Sequence, residues 1–347
     1  MENRKELILK EIVDKYIETG EPISSQMLLE EYNLSFSSAT IRNDMHALEE
    51  EGYVKKPYTS GGRIPTRQGY KYFVDWLIEL SQLTSEERKE IVSAYNFERQ
   101  DAGRLLQMTV MLLANITDYA SFVLGPDLDE ARLENFTLVQ LDSNHLMAIF
   151  VTEWGLVENR ILRLKREIPS KELNQISPLL NEKLRGKKLK DMKKMETLNL
   201  EEGGWYDKLM RDSLLLIKQF LDEEPERRLF LEGTLNLIEQ VNPQNKEQLD
   251  QLKAALGFIQ DQKKVNRVLS ECKEDEKNLV AMVGIESDEG RLDYSLVAKR
   301  LADCSSALGV IGPLRMDYSK SFSAVQYIGS RLTALLTVGN PNVESRG

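Results

Sequence analysis

The sequence predicts an α+β protein that begins with three short helices and a β-hairpin. Helix-capping residues and glycines divide residues 1–52 into three helical segments. Beyond residue 118, alternating polar and apolar runs come first, a charged helical block then interrupts them, and strand-like runs resume near residue 279. At 347 residues, the chain is long enough for two or three domains.

The first three helices are bounded by glycine and serine. Gly20 ends the first helix, and Ser24 and Ser37 are the N-caps of the second and third, which end near residues 33 and 51. The apolar face of the first helix consists of Leu9, Ile12, Val13, Tyr16 and Ile17. A tight turn between the second and third helices predicts a helix-turn-helix.

The third helix has one apolar and one polar face. Ile41, Met45 and Leu48 form the apolar stripe. The predicted base-reading side chains lie on the other face and at the N-terminal turn: Ser38, Thr40, Arg42, Asn43 and His46. Arginine and asparagine are the side chains that form paired hydrogen bonds with guanine and adenine edges.

A basic hairpin follows. Tyr53–Pro57 and Arg63–Pro65 read as two strands, and Thr59–Gly62 reads as the turn. No acidic residue lies between Tyr53 and Tyr72. The predicted phosphate-contacting side chains are Lys55, Lys56, Tyr58, Arg63, Arg67 and Lys71. A recognition-type helix followed by a basic hairpin predicts a winged helix-turn-helix that binds double-stranded DNA.

Composition narrows the remaining possibilities. The net charge of −10 excludes a chain coated in positive charge and confines DNA binding to a local surface. The two cysteines, Cys272 and Cys304, exclude a disulfide scaffold and a four-cysteine zinc site. No nucleotide-binding or hydrolase motif is present, so we expect neither an enzyme nor a cofactor. No membrane-spanning run or signal sequence is present, which predicts a cytoplasmic protein without a membrane partner.

Two blocks of the sequence resemble the HrcA family of bacterial heat-inducible transcription repressors. The first comprises residues 38–45, 48–49, 57–66 and 69–70, and the second is Gly309–Tyr318. The chain departs from the family pattern at four positions. Tyr58 replaces a usual His, Gly61 an Ala, Arg67 an Asp and Lys71 an Arg. The added charge of Arg67 is expected to strengthen phosphate binding.

The resemblance implies a domain order. It gives a winged helix-turn-helix domain at residues 1–83, a helical connector at 84–103, a GAF-like α+β domain at 104–169 and 271–347, and a mainly helical dimerisation domain inserted at 170–270. Within these limits, runs at 119–124, 136–141, 145–151 and 156–164 predict an antiparallel meander. An apolar helix at 206–222 is the predicted dimer contact.

The resemblance also implies a function. The expected protein is a homodimer that represses heat-shock chaperone operons by binding an inverted-repeat DNA operator and loses activity on heat stress. A chaperonin is the expected modulator of its activity. The alternative is a winged-helix repressor that is gated by a small ligand, with the GAF-like domain as its sensor.

Overall fold

A computed structural model gives the structure of the chain, and it describes residues 3–32, 36–57, 62–95, 102–163, 170–194, 228–271, 278–287, 290–301 and 306–338. The N-terminal domain contains α1 (Asn3–Thr19), α2 (Ser25–Tyr32), α3 (Ser38–Glu50), β1 (Val54–Lys55), β2 (Ile64–Pro65) and α4 (Arg67–Tyr72). A π-helical turn, Phe73–Leu77, continues α4 and ends the domain.

The predicted N-caps are confirmed. Ser24 Oγ accepts a hydrogen bond from Met27 N at 3.2 Å, and Ser37 Oγ accepts one from Thr40 N at 3.1 Å. Each bond satisfies an amide that the first helical turn leaves without a backbone partner. The termini of α2 and α3 are therefore specified by local sequence.

The remaining described elements form three sheets, of five, three and two strands, and the helices that accompany them. The helices are α5 (Ser85–Tyr95), α6 (Ala102–Thr117), α7 (Ser170–Leu184), α8 (Leu189–Lys194), α9 (Thr234–Glu239), α10 (Lys246–Gln260), α11 (Gln262–Glu271) and α12 (Tyr318–Val338). The strands are β3 (Ala120–Leu124), β4 (Leu133–Gln140), β5 (His145–Thr152), β6 (Val157–Arg163), β7 (Leu229–Glu232), β8 (Leu279–Met282), β9 (Glu286–Ser287), β10 (Gly290–Arg291), β11 (Tyr294–Leu301) and β12 (Ser306–Pro313).

The C-terminal domain is a five-stranded antiparallel sheet between two layers of helices. Its strand order is β7-β3-β12-β11-β8. Val297 and Val310 point towards the core that contains α6 and α12, whereas Leu296 and Ile311 point towards α10 and α11. This alternation along β11 and β12 buries both faces of the sheet.

A separate three-stranded sheet, ordered β4-β5-β6, packs against α7. The side chain of Asn181 on α7 accepts a hydrogen bond from Phe136 N at 2.7 Å and donates one to Phe136 O at 2.8 Å. Phe136 also packs against Phe150 with ring centroids 4.7 Å apart. Because Asn181 satisfies backbone groups at the edge of β4, helix and sheet form one unit.

The predicted four-strand meander is wrong for its first strand. β3 pairs with β12 and β7 in the other sheet, and only β4, β5 and β6 form a meander. Period-two alternation identifies a strand but carries no information about which sheet it joins.

The predicted borders of the inserted domain, 170 and 270, also differ from the strand pairing. Gly125 N donates to Arg228 O at 2.8 Å, so the chain leaves the five-stranded sheet and returns to it at this bond. The insertion accordingly contains the three-stranded sheet, α7 and α8, while β7, α9, α10 and α11 belong with the C-terminal domain. The predicted helix at 206–222 lies outside the described residues.

Candidate nucleic-acid interface

Helix α3 is fixed against α1 in the N-terminal domain by its apolar stripe and by the ion pair of Asp44 with Arg4. Ile41, Met45 and Leu48 are buried in the core as predicted. Asp44, also buried, accepts two hydrogen bonds from Arg4 on α1, at 2.6 Å from Nε and 3.0 Å from Nη2. This paired geometry sets the rotation of α3 about its axis, because one carboxylate binds two nitrogens of the same planar guanidinium.

The opposite face of α3 is open to solvent. Arg42, Asn43 and His46 are exposed, and His46 Nδ1 lies 3.6 Å from a carboxylate oxygen of Glu50. Three predicted base-reading side chains therefore share one accessible surface. Arginine and asparagine on a helix of this kind match the donor and acceptor patterns of the major groove.

The two predicted contacts at the N-terminal turn of α3 are less accessible. Ser38 and Thr40 are half-buried. Thr40 Oγ1 lies 2.9 Å from Ser37 Oγ, so its hydroxyl is engaged with the helix cap. Amide groups in the first turn of a helix favour a phosphate oxygen, and Ser38 and Thr40 border that turn.

The hairpin β1–β2 projects beside α3. Val54 pairs with Pro65 and Lys55 with Ile64, in antiparallel register. Next to β2, the backbone of Arg63 exchanges two hydrogen bonds with the backbone of Ile23, at 2.8 and 2.9 Å. The segment before α2 therefore pairs with the hairpin. Lys55 and Lys56 are exposed. The order of three helices and a basic hairpin is the one that the sequence predicts.

Known proteins are similar in sequence to this chain over almost its whole length. The family model described as the HrcA protein C terminal domain matches residues 103–322. A protein from Moorella thermoacetica named heat-inducible transcription repressor HrcA is 33% identical over 97% of this chain and 98% of its own. This chain belongs to the HrcA family. A protein of the same name from Pelotomaculum thermopropionicum is 32% identical, with 97% of each chain covered.

HrcA proteins are heat-inducible transcription repressors, so this chain is a negative regulator of heat-shock transcription. A solved structure of a hypothetical protein at 2.2 Å resolution has the same overall fold. It superposes with a TM-score of 0.61 at 23% sequence identity and covers 98% of both chains.

The HrcA motif residue Arg63 is not placed as a phosphate ligand. Its side chain is 9% exposed and its Nη2 lies 2.8 Å from Glu49 Oε2 on α3. Lys56 Nζ lies 3.6 Å from the same oxygen. Phosphate contact by Arg63 stays a prediction, and in this structure its guanidinium is paired with a carboxylate beneath the surface, whereas Lys56 remains accessible.

Arg67 is also paired in this structure. Its Nη2 donates to Asp293 Oδ1 at 2.8 Å and to Leu292 O at 3.2 Å, both in the C-terminal domain. Its phosphate contact stays a prediction, and Asp293, 226 residues away in the sequence, is a partner that local patterns do not reveal. Lys71 is exposed. Tyr58 lies outside the described residues.

Two residues that position the interface were missed from the sequence. Arg4 anchors α3 through Asp44, and Glu49 binds the hairpin through Arg63. One signal for the first was present, because Asp44 stands three residues after Ile41 within the apolar stripe. An acidic residue at a buried helix position requires a cationic or hydrogen-bonding partner.

The described residues contain no group of three or more His, Cys, Asp or Glu side chains that could hold a metal ion. None of the described helices is long and apolar enough to cross a membrane. An open cleft of about 570 Å³ lies between α10 and the β9–β10 hairpin. Its lining includes Lys246, Asp250, Gln251 and Arg291.

Proposed function

We propose that this chain represses heat-shock chaperone operons by binding an inverted-repeat DNA operator as a homodimer. The observation that carries the proposal is the exposed face of α3, where Arg42, Asn43 and His46 lie together on a helix that is anchored from behind by Asp44. An anchored helix loses little freedom on binding, so its polar side chains are available to discriminate between bases.

The basic hairpin supports the same proposal. Lys55, Lys56 and Lys71 are exposed on a chain whose net charge is −10. Because the positive charge is confined to one surface, it attracts phosphate only when that surface faces the DNA. Attraction to DNA regardless of sequence is therefore weak. We assign base reading to α3, with contributions from Ser38 and Thr40 at its first turn, and phosphate contacts to these lysines.

A homodimer fits an inverted repeat because each half-site then meets an identical recognition helix. The inserted unit supplies a surface for pairing. Val139, Met147 and Ile161 are directly opposite one another on β4, β5 and β6, and Ile161 is 65% exposed. An apolar row across an exposed sheet face supports contact with a second copy of the chain.

Membership of the HrcA family supports heat control, and we add the chaperonin as the proposed modulator. In this proposal the chaperonin keeps the repressor in its DNA-binding form, and heat diverts the chaperonin to unfolded proteins. A change over a few degrees requires an active state of marginal stability. Titration of chaperonin into the repressor tests this step, because an unchanged DNA-binding fraction at every temperature contradicts it.

Selection from random duplex DNA tests the operator proposal. The wild-type chain should enrich an inverted repeat, and a mobility-shift assay should show tighter binding to it than to a scrambled duplex at several salt concentrations. Enrichment of no repeat, or equal binding to both duplexes, contradicts the proposal. The control variant Arg291→Ala removes a cation that lies in the C-terminal domain and should bind as the wild type does.

The open cleft beside α10 favours a second candidate, a repressor that is gated by a small ligand. Lys246, Asp250 and Arg291 offer charges of both signs, and Gln251 accepts a hydrogen bond from Asp293 N at 2.9 Å. Calorimetric binding of a metabolite that also changes DNA affinity would support this candidate. DNA affinity that no metabolite alters would oppose it.

A further inference from the structure

The N-terminal and C-terminal domains are joined by two arginines that lie in reciprocal positions. Arg67 of the N-terminal domain lies against Gly284 of the C-terminal domain, and Arg315 of the C-terminal domain lies against Gly20 of the N-terminal domain. Both glycines have positive φ, +73° at Gly20 and +77° at Gly284. A Cβ atom at either position would displace the end of the arginine side chain, and the positive φ at both positions favours glycine.

Arg67 contacts a segment of the C-terminal domain that other hydrogen bonds hold in place. Arg67 binds the Asp293 carboxylate and the Leu292 carbonyl. The backbone of Asp293 is itself held, because its N–H donates to Gln251 and its carbonyl accepts from Leu314 N at 3.0 Å. Arg67 begins α4, directly after the hairpin, so this contact fixes the hairpin end of the N-terminal domain.

The Arg315 contact holds the N-terminal domain at a second point, the C-terminus of α1. Gly20 follows the last residue of α1, and its N–H donates to Tyr16 O at 2.9 Å to close the helix. A guanidinium beside a helix C-terminus faces the negative end of the helix dipole. Arg315 follows Leu314, whose N–H donates to Asp293 O, so the two arginine contacts involve neighbouring segments of the C-terminal domain.

Buried contacts fill the space between the two arginines. The rings of Tyr70 and Tyr318 are buried with centroids 6.1 Å apart. Ser319 Oγ accepts from Ser81 N at 2.6 Å and donates to Glu79 O at 2.5 Å. The domains therefore meet through packed and hydrogen-bonded surfaces from the start of α4 to the segment that follows it.

We propose that Arg67 and Arg315 are positioning residues that hold the N-terminal domain at one angle and so set the half-site spacing that the dimer accepts. This inference rests on the proposed operator binding. In a homodimer, the distance between recognition helices depends on the angle of each N-terminal domain to its own C-terminal domain. Half-site spacing is a geometric property of the protein, and a fixed angle restricts it to one value.

Changing the spacer length of the operator distinguishes a positioning role of Arg67 from direct contact of its charge with phosphate. An inverted repeat selected by the wild-type chain is remade with its spacer lengthened or shortened by one and two base pairs. The ratio of affinities for the original and altered spacers is then measured for the full-length chain. Failure of the wild type to select any repeat contradicts operator binding itself and is distinguishable from a failure of positioning.

Arg67→Ala and Asp293→Ala form the decisive pair of variants. We expect each to reduce the spacer preference by about threefold or more, the range for one partly exposed charged hydrogen bond. The double variant should lose no more than either single one, because both remove the same contact. If Arg67 were a phosphate ligand, Asp293→Ala would free it and tighten binding to every duplex.

Glu286→Ala is the matched control. Glu286 accepts from Arg291 in the neighbouring β9–β10 hairpin at 2.8 Å and is not part of the domain contact. It should leave the spacer preference unchanged. An unchanged preference in both Arg67→Ala and Asp293→Ala, or tighter binding to the original spacer, overturns the proposal. Binding of each variant to an isolated half-site should match the wild type, which shows that the N-terminal domain remains folded.

Discussion

Glu49 on α3 and Arg63 next to β2 form an ion pair with 2.8 Å between Oε2 and Nη2. This pair lies below the protein surface and links α3 to the basic hairpin. The two surfaces that we assign to bases and to phosphates are therefore joined by a direct side-chain contact. Arg4 and Asp44 fix the same helix to α1, so α3 is constrained on two sides.

Loss of the Glu49 carboxylate should loosen the hairpin. Glu49→Gln leaves the guanidinium of Arg63 at a buried position without its charged partner, at a cost of about 2 kcal/mol in local stability. Hydrogen exchange in the peptides of α3 and the hairpin should become roughly 30-fold faster. Glu50→Gln is the control, because that side chain is 71% exposed. Equal exchange rates in the two variants would contradict the structural role of Glu49.

A substitution that removes a base contact and one that removes a phosphate contact should have different effects on DNA binding. Asn43→Ala should cost about 1–3 kcal/mol on the selected operator and leave binding to random DNA nearly unchanged. Lys55→Ala should weaken binding to both duplexes and reduce the salt slope by about one. Fluorescence anisotropy over a range of salt concentrations measures both effects. Equal losses on both duplexes for Asn43→Ala would remove its base-reading role.

Asp14 should make stability decrease between mildly acidic and neutral pH. Burial, with smaller contributions from Glu11 and Asp317, raises the pKa of its carboxyl from 3.8 to about 6, although Lys10 opposes the shift. The folded state thus binds the proton more tightly than the unfolded chain does. The resulting stabilisation is complete below pH 4 and is lost as the pH rises through 6.

Asp14→Asn removes this dependence. The variant should have a higher Tm than the wild type at pH 7.5 and the same Tm at pH 3.5, which thermal scans in matched buffers would show. Asp191→Asn, at an exposed position on α8, makes the same change of charge and serves as the control. A Tm difference that is constant with pH would contradict the assignment to Asp14.

The apolar row on the inserted sheet should be required for the dimer. Ile161→Glu places a charge on that row and should shift the chain towards monomer in size-exclusion light scattering. Leu235→Glu is the control because Leu235 on α9 is 68% exposed, close to the 65% of Ile161. A stable dimer of Ile161→Glu at low micromolar concentration would show that pairing uses another surface.

Local features were predictable from the sequence, and distant partners were not. Ser24 and Ser37 were identified as caps because a cap bonds amides within three residues. The contact between Arg67 and Asp293 was not predictable, because the two residues meet only after the C-terminal domain has folded. β3 was likewise placed in the wrong sheet, since strand alternation does not specify the neighbour. The exposed face of α3 needed only helical periodicity and was recovered as predicted for Arg42, Asn43 and His46.

The central claim is that two copies of α3 contact two half-sites of one inverted repeat. Hydroxyl-radical footprinting of the wild-type chain on its selected duplex tests it most directly. We expect two protected tracts, related by two-fold symmetry, with centres about 34 Å apart or a multiple of that distance. A single tract, or protection spread evenly along the duplex, would contradict it.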